Sequence, residues 1–334
     1  MNPRKTKSKP NGDQIGDLIR FVEDDLSSNQ PRTPATTFDR ELTQKLHDMV
    51  PDADLVHLQQ CAIRRNAALR HAREKKKHLS HQHFVEVRAL LRSVPAQPAT
   101  RLTILSFLYS AEAYFHFKFS EKGVAERFLW RSLKIDRTLQ DRYGIDPIDI
   151  HRLQTASNFC RMWKGGGEFK RALPVLLDAA RYAAGNEAAW PFPECATRRR
   201  IGRSSEIWRA MTHQLLGELF VGLAEAQDGV EAGEIARFVD QACQSSDAIL
   251  PDFIRLPLEA KRAFFEDDPG AFLSRARVAL DPGYAENPLV YFLLLRDVGV
   301  AVRPDSPGQA DQIMTLVRQG SGRFQRVPAV LSRH

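Results

Sequence analysis

The residues best suited to metal binding or proton transfer are histidines clustered in the first third of the chain. His78, His81 and His83 lie in the stretch REKKKHLSHQHF, and His71 is nearby. A metal site needs neutral imidazoles that converge on one point. On a helix, however, His81 and His83 diverge by about 200°, and the adjacent lysines repel a cation. We therefore predict no metal site and interpret the stretch as the solvated basic end of a helix.

A run of glycines in KGGGEFK, residues 164–170, is the only candidate for a phosphate-binding loop. Such a loop needs a preceding strand, a second fixed glycine, and a lysine followed by Ser or Thr. The run meets none of these requirements, so we expect no nucleotide site and no cofactor.

The cysteines have no spacing that favours a zinc site or a disulfide framework. Cys61, Cys160, Cys195 and Cys243 stand far apart, without a CxxC pair, which is typical of a reducing compartment. For Cys160 and Cys195, which lie in or beside helical apolar stretches, we predict buried structural thiols. With no catalytic signature found, we expect a non-enzymatic protein; the alternative is an enzyme whose site is assembled from scattered residues.

Basic clusters are the most visible polar feature. Residues 61–80 hold seven Lys and Arg against one Glu, and residues 198–209 form a second basic segment. Such segments can bind phosphate backbones, so they give the alternative function, a regulator that contacts nucleic acid. The candidate contacts are Arg64, Arg65, Lys75, Lys76, Lys77, Arg198, Arg199 and Arg200.

The composition and net charge of the chain limit the possible functions further. The 334 residues carry 48 Lys and Arg against 41 Asp and Glu, a net charge of +7, which is modest for a nucleic-acid-binding protein. The longest apolar run, residues 289–295, is much shorter than the roughly 20 residues that cross a bilayer. The charged N-terminus also lacks the apolar core of a signal peptide. We expect a cytoplasmic protein that does not bind membranes.

Apolar spacing predicts helices along nearly the whole chain, and no strands. Residues 1–38 are predicted to contain a mobile basic tail, an amphipathic helix capped by Asp13, and a linker at 27–37. This helix docks either on the chain's own body or on a partner, and we expect removal of residues 1–30 to leave a folded body. Residues 39–95 hold further helices, 96–320 form the main body, and 321–334 form a basic C-terminal tail.

Several later helices are predicted to start with a capping side chain before proline, at Asp146, Asp268, Asn287 and Ser306. Gly320 is predicted to end the last of them.

A helix-turn-helix unit at residues 153–183 gives the strongest architectural signal. Its first helix spaces Leu153, Ala156, Cys160 and Trp163 by three, four and three residues, and after the glycine turn the second helix spaces Phe169, Ala172, Leu176 and Ala179 in the same way. This unit resembles a tetratricopeptide (TPR) repeat, and three degenerate units extend the resemblance over roughly residues 101–283. The resemblance implies an all-α fold, an irregular TPR-like α-solenoid of antiparallel helix pairs with additional N-terminal helices.

The resemblance also implies a function, a scaffold or adaptor that binds a protein or peptide in its concave face. In TPR-like proteins the residues beside the core stripe of the first helix line that face. The corresponding positions here are Gln154, Ser157, Asn158, Arg161 and Lys164. Their amide and basic side chains favour a partner with acidic or carboxylate groups.

Overall fold

The computed structural model describes residues 12–28, 44, 50–93, 96–197, 205–227, 232–244, 250–283, 286–322 and 328–332. Of these residues, 85% are helical and none lies in a strand, which confirms the all-α prediction. By their internal contacts, residues 34–212 form one compact unit, and residues 1–33 with 213–334 form another. The predicted basic tail before residue 12, most of the linker, and residues 39–49 except 44 lie outside the described residues.

The unit of residues 34–212 is built from helices that contact each other in a regular order. Consecutive helices contact each other, and α2 also contacts α4, as α4 contacts α6. The helices of this unit are α2 (Asp52–Arg73), α3 (Lys77–Ser93), α4 (Pro98–Lys118), α5 (Lys122–Tyr143), α6 (Ile148–Lys164) and α7 (Phe169–Ala183). A further helix, α8 (Ser205–Gln227), begins in this unit and ends in the other.

The core of α6 and α7 matches the predicted stripes. Leu153, Ala156 and Cys160 are fully buried, Trp163 is 5% exposed, and Ala172, Leu176 and Ala179 of α7 are fully buried. Phe169, which opens α7, is half-buried. Small residues on α7 allow the two helices to approach closely while the larger side chains fill the space between them.

A buried arginine on α6 joins several elements of this unit. The Arg152 guanidinium donates to Oε1 of Gln140 on α5 at 2.6 Å, to Oδ1 of Asp149 at 2.8 Å, and to the Cys195 carbonyl at 2.6 Å. It also lies 4.0 Å from the centre of the Trp190 ring. Tyr182 of α7 donates to Oδ2 of Asp149 at 2.9 Å, so α5, α6, α7 and the segment that follows α7 meet at one ion pair.

Burial raises the pKa of Asp149, although Arg152, Tyr182 and Gln140 act to lower it. The two charges are fully buried, so each depends on the other to offset its loss of hydration.

The other unit is built from short helices. These are α1 (Gly12–Ser28), the end of α8, α9 (Ala232–Gln244), α10 (Asp252–Phe265), α11 (Pro269–Leu280), α12 (Pro288–Val302), α13 (Pro307–Ser321) and α14 (Ala329–Ser332). The predicted caps at Asp268 and Asn287 are confirmed, since their side chains accept from the amides of Ala271 and Val290.

The other residues predicted to cap or end helices have different roles in the structure. Ser306 is the N-cap residue of α13 but makes no side-chain capping bond, and α6 begins one residue later than predicted, with Pro147 rather than Asp146 at the N-cap. Asp13 lies inside the first turn of α1. Gly320 does not end a helix. It lies within α13, where a Cβ atom would overlap the ring of Phe292 on α12, so its role is to let the two helices approach closely.

The amphipathic helix α1 docks on its own chain. Its apolar residues Ile15, Leu18 and Val22 are at most 2% exposed, and the helix contacts α13 and α11. From α11, the Arg277 guanidinium lies 3.7 Å from the centre of the Phe21 ring. The apolar face of α1 therefore belongs to the interior of this unit, which argues against the prediction that removal of residues 1–30 leaves a folded body.

Truncation of one buried residue of α1 tests this packing. We expect Leu18→Ala to lower the free energy of unfolding by roughly 2–5 kcal/mol, because it leaves a cavity between α1 and its neighbours. Arg20→Ala, on the exposed face of the same helix, is the control and should remain near wild type. Urea unfolding followed by far-UV circular dichroism measures both; equal stabilities would show that α1 is not part of the core.

Arg152→Leu tests the buried ion pair. We expect a loss of about 3–5 kcal/mol in unfolding free energy, since Asp149 would remain buried without its cation. Adding Asp149→Asn removes the uncompensated charge and should recover part of the loss. All four tryptophans (Trp130, Trp163, Trp190 and Trp208) lie in residues 34–212, so their fluorescence during urea unfolding follows this unit. A loss below about 1 kcal/mol for Arg152→Leu would contradict the analysis.

Candidate functional site

One face of α6 is turned toward α4. His151, Asn158 and Gly165 contact α4 at successive positions. The His151 ring lies 4.0 Å from the centre of the Phe107 ring, Asn158 Nδ2 donates to Ser110 Oγ at 3.4 Å, and a Cβ atom at Gly165 would lie 3.0 Å from Phe117. Gln154 and Arg161 fall on the same face, because residues three or four apart lie on one side of a helix.

The predicted partner-binding residues divide between this face and the interior. Gln154 and Asn158 are half-buried and Arg161 is exposed. Ser157 is only 1% exposed, since its position is turned about 60° from that of Gln154, toward the core stripe. The prediction that Ser157 lines an open face is therefore not supported by its burial. Lys164 is half-buried and lies seven residues from Ser157, on the same side of α6.

Along α4, four half-buried residues follow each other at helical spacing. They are Phe107, Ser110, Tyr114 and Phe117. Cations of α2 lie over two of the rings: the Arg65 guanidinium is 5.1 Å from the centre of Phe107, and that of Arg73 is 6.0 Å from the centre of Tyr114. The Lys118 ammonium lies 5.5 Å from Tyr114.

We call this surface the α4 trough. Its floor is Phe107, Ser110, Tyr114 and Phe117, with Arg65 and Arg73 on the α2 side and Gln154, Asn158 and Arg161 on the α6 side. The sequence analysis named the α6 residues and Arg65, but assigned Arg65 to nucleic acid. It missed Arg73 and the aromatic floor, because a cation–aromatic pair between two helices leaves no local sequence pattern.

Carboxylates near these helices are engaged on other faces. Glu112 of α4 accepts two hydrogen bonds from Arg88 Nη2 of α3, at 2.8 and 2.6 Å. Burial raises the pKa of Glu112, while Arg88 acts to lower it. Glu121, beyond the end of α4, accepts from Lys77 at 2.9 Å, and hydrogen bonds from Lys77 and His116 lower its pKa.

Three cations of the basic segment 61–80 form ion pairs with carboxylates. Arg64 pairs with Glu86 at 3.4 Å, Lys76 with Glu74 at 2.9 Å, and Lys77 with Glu121 at 2.9 Å. Lys75 lies in the turn between α2 and α3 with a φ of 60°. Arg198, Arg199 and Arg200 lie outside the described residues.

A serine, a histidine and an aspartate meet between α4, α5 and α6. His151 Nδ1 is 2.9 Å from Oδ2 of Asp136, and Ser106 donates to Oδ1 of the same carboxylate. Ser132 Oγ donates to the Ser106 carbonyl at 3.0 Å. Ser106, Ser132 and Asp136 are fully buried and His151 nearly so, and the Ser106 hydroxyl is a hydrogen-bond donor to the carboxylate. This network holds three helices together and does not present a nucleophile to a substrate.

The cysteine prediction is confirmed for Cys160 and Cys195, which are buried thiols outside any disulfide. Burial raises the pKa of Cys61 and Cys243 to about 11 and also raises that of Cys195, which disfavours thiolate chemistry.

His71 and His83 stack with ring centres 5.4 Å apart. Within the described part of the chain, no group of three or more His, Cys, Asp or Glu is placed to hold a metal ion, and no helix is long and apolar enough to cross a membrane.

Comparisons of the chain with family models, curated proteins and solved structures find no match.

One histidine of α2 is buried in the folded chain. His57 of α2 is 4% exposed, and neither of its ring nitrogens has a hydrogen-bond partner among the described residues. Burial lowers its pKa below the usual 6.5, although nearby Asp54 acts to raise it. Asp54 itself accepts from the Gln97 amide at 2.9 Å and from Thr100 at 2.7 Å at the start of α4, and these bonds lower its pKa.

His57→Leu should make stability less dependent on pH. Below pH 6.5 the unfolded chain binds a proton at His57 that the folded chain resists, so wild type loses stability as pH falls from 7 to 5, by at most about 1.4 kcal/mol per pH unit. The variant lacks this loss. Urea unfolding at pH 7 and pH 5 measures it, with the exposed His78→Gln as control; an unchanged pH dependence in His57→Leu would contradict the assignment.

Proposed function

We propose that this chain is a non-enzymatic scaffold that binds an acidic segment of a protein or peptide in the α4 trough. The helix arrangement supports the proposal. Contacts within the pairs α2–α3, α4–α5 and α6–α7, together with those of α2 with α4 and α4 with α6, are the pattern expected of a TPR-like solenoid. In such a solenoid, the first helix of each pair lines a common face.

The observation that carries the proposal is the placement of cations over aromatic rings along that face. The Arg65 guanidinium lies 5.1 Å from the centre of the Phe107 ring and donates to Asn66 Oδ1 at 3.4 and 3.2 Å. The Arg73 guanidinium lies 6.0 Å from the centre of the Tyr114 ring. These contacts help to hold each guanidinium in place. A guanidinium held in this way can donate two parallel hydrogen bonds to a carboxylate and loses little conformational entropy on binding. On α6, Arg161 Nη1 donates to Asn158 Oδ1 at 3.4 Å, which places a further cation beside the floor.

Selection from a random peptide library tests the proposal while the natural partner is still unidentified. Twelve-residue peptides displayed on phage are selected on the full chain, and the enriched ones are synthesised with a fluorescent label. We expect enrichment of Asp and Glu. The double variant Arg73→Gln with Arg161→Gln should bind them at least about 100-fold more weakly, because each removes a charge-assisted hydrogen bond worth roughly 1.5–3 kcal/mol.

The matched control is Lys75→Gln with Lys76→Gln and Lys77→Gln, which removes three cations outside the trough. It should leave peptide binding unchanged. Peptides that bind the double variant as tightly as wild type would overturn the proposal. If a labelled oligothymidylate binds instead and loses affinity in the triple variant, the chain is a nucleic-acid-contacting regulator.

A further inference from the structure

The outward face of α2 carries the two most exposed large apolar side chains in the described part of the chain. Ile63 is 66% exposed and Val56 is 62% exposed. They are seven residues apart, so they lie on nearly the same side of the helix, about 10.5 Å apart along its axis. Arg65 of the α4 trough lies about 180° from Val56 around α2. This face is therefore separate from the proposed peptide site.

Six residues of this face have the spacing of a coiled-coil seam. Their separations alternate between three and four residues, as those of positions a and d do in a heptad repeat. They are Ala53, Val56, Gln60, Ile63, Ala67 and Arg70. Ala67 is half-buried and the other five are exposed, so none of the described helices covers them. We call these six residues the α2 seam.

The α2 seam is symmetric about Gln60. Ala53 and Ala67 lie seven residues on either side of it, and Val56 and Ile63 lie four and three residues away. A second copy of α2, placed antiparallel with its Gln60 opposite the first, therefore sets alanine against alanine and Val56 against Ile63. The amide of Gln60 has both donors and an acceptor, so the two copies can hydrogen-bond to each other on the axis. One polar residue in an apolar seam fixes the register of a coiled coil.

Charge distinguishes an antiparallel pair from a parallel one. Asp52 in the first turn of α2 and Arg70 in its last turn are both exposed, and they lie at the same angle around the helix. Neither forms an ion pair with a side chain in the described part of the chain. In an antiparallel pair, Asp52 of each copy faces Arg70 of the other, whereas a parallel pair brings like charges together. The antiparallel arrangement also places the opposite ends of the two helix dipoles side by side.

We infer that two copies of this chain associate through α2, as an antiparallel pair of helices related by a two-fold axis at Gln60. Both copies use the same six residues, as a two-fold contact requires. One helix from each copy gives an interface at the small end of the range for specific complexes. The dimer therefore forms reversibly as the concentration rises.

Sedimentation velocity of the full chain, at concentrations from about 5 to 500 μM, tests the association. We expect the fraction of dimer to rise with concentration. Ile63→Asp should weaken the association at least about tenfold, because it places an unpaired charge in the seam. The matched control is Val85→Asp, which changes a 46% exposed apolar residue of α3 outside the seam and should leave the association unchanged. A monomer at every concentration, or a dimer that Ile63→Asp does not weaken, would overturn the inference.

Disulfide cross-linking tests the orientation of the two helices. Gln60→Cys places the thiols of both copies at the two-fold axis, whereas Val56→Cys places them about 12 Å apart along the helices, too far for a disulfide. Each variant is oxidised where the wild-type chain is dimeric. The wild-type chain gives the background, since it has four cysteines of its own. We expect a covalent dimer from Gln60→Cys alone; one from Val56→Cys, or from neither variant, would overturn the antiparallel pair.

Discussion

The structure of residues 34–212 depends on two adjacent buried polar residues of α6. Arg152 contacts Gln140 of α5, Asp149 of its own helix and the Cys195 carbonyl. His151 contacts Asp136 of α5 and the ring of Phe107 on α4. Because buried charges are costly unless their partners are correctly placed, these contacts allow little variation in how α6 lies against its neighbours.

This constraint extends to the surface. His151 fixes the start of α6 against α4. Asn158 and Gly165 therefore contact α4 seven and fourteen residues further along the chain. The floor of the trough is thus held on the α6 side by packing, and on the α2 side by Arg65 and Arg73 over its rings. A surface whose side chains are already in place loses less entropy when it binds a ligand.

Local patterns in the sequence predicted the helices and much of the core. The stripe of Leu153, Ala156 and Cys160 is buried as expected, because helical periodicity is a property of neighbouring residues. The caps at Asp268 and Asn287 followed from the same kind of signal. Arg152, Arg73 and Tyr114 were not predicted, since their partners lie on other helices and only the fold brings them together. Gly320 was misread because a glycine that ends a helix and one that allows close packing look alike in sequence.

The most direct test of the account is to locate a bound acidic peptide on the chain. An acidic peptide enriched in the library selection, with a photoreactive diazirine beside one of its carboxylates, would be cross-linked to the full chain, and the modified residues identified by mass spectrometry. We expect cross-links to Ser110 and Tyr114 of α4, which disappear in Arg65→Gln with Arg73→Gln. Cross-links confined to α3, α5 or residues 213–334 would contradict the claim that the α4 trough is the binding surface.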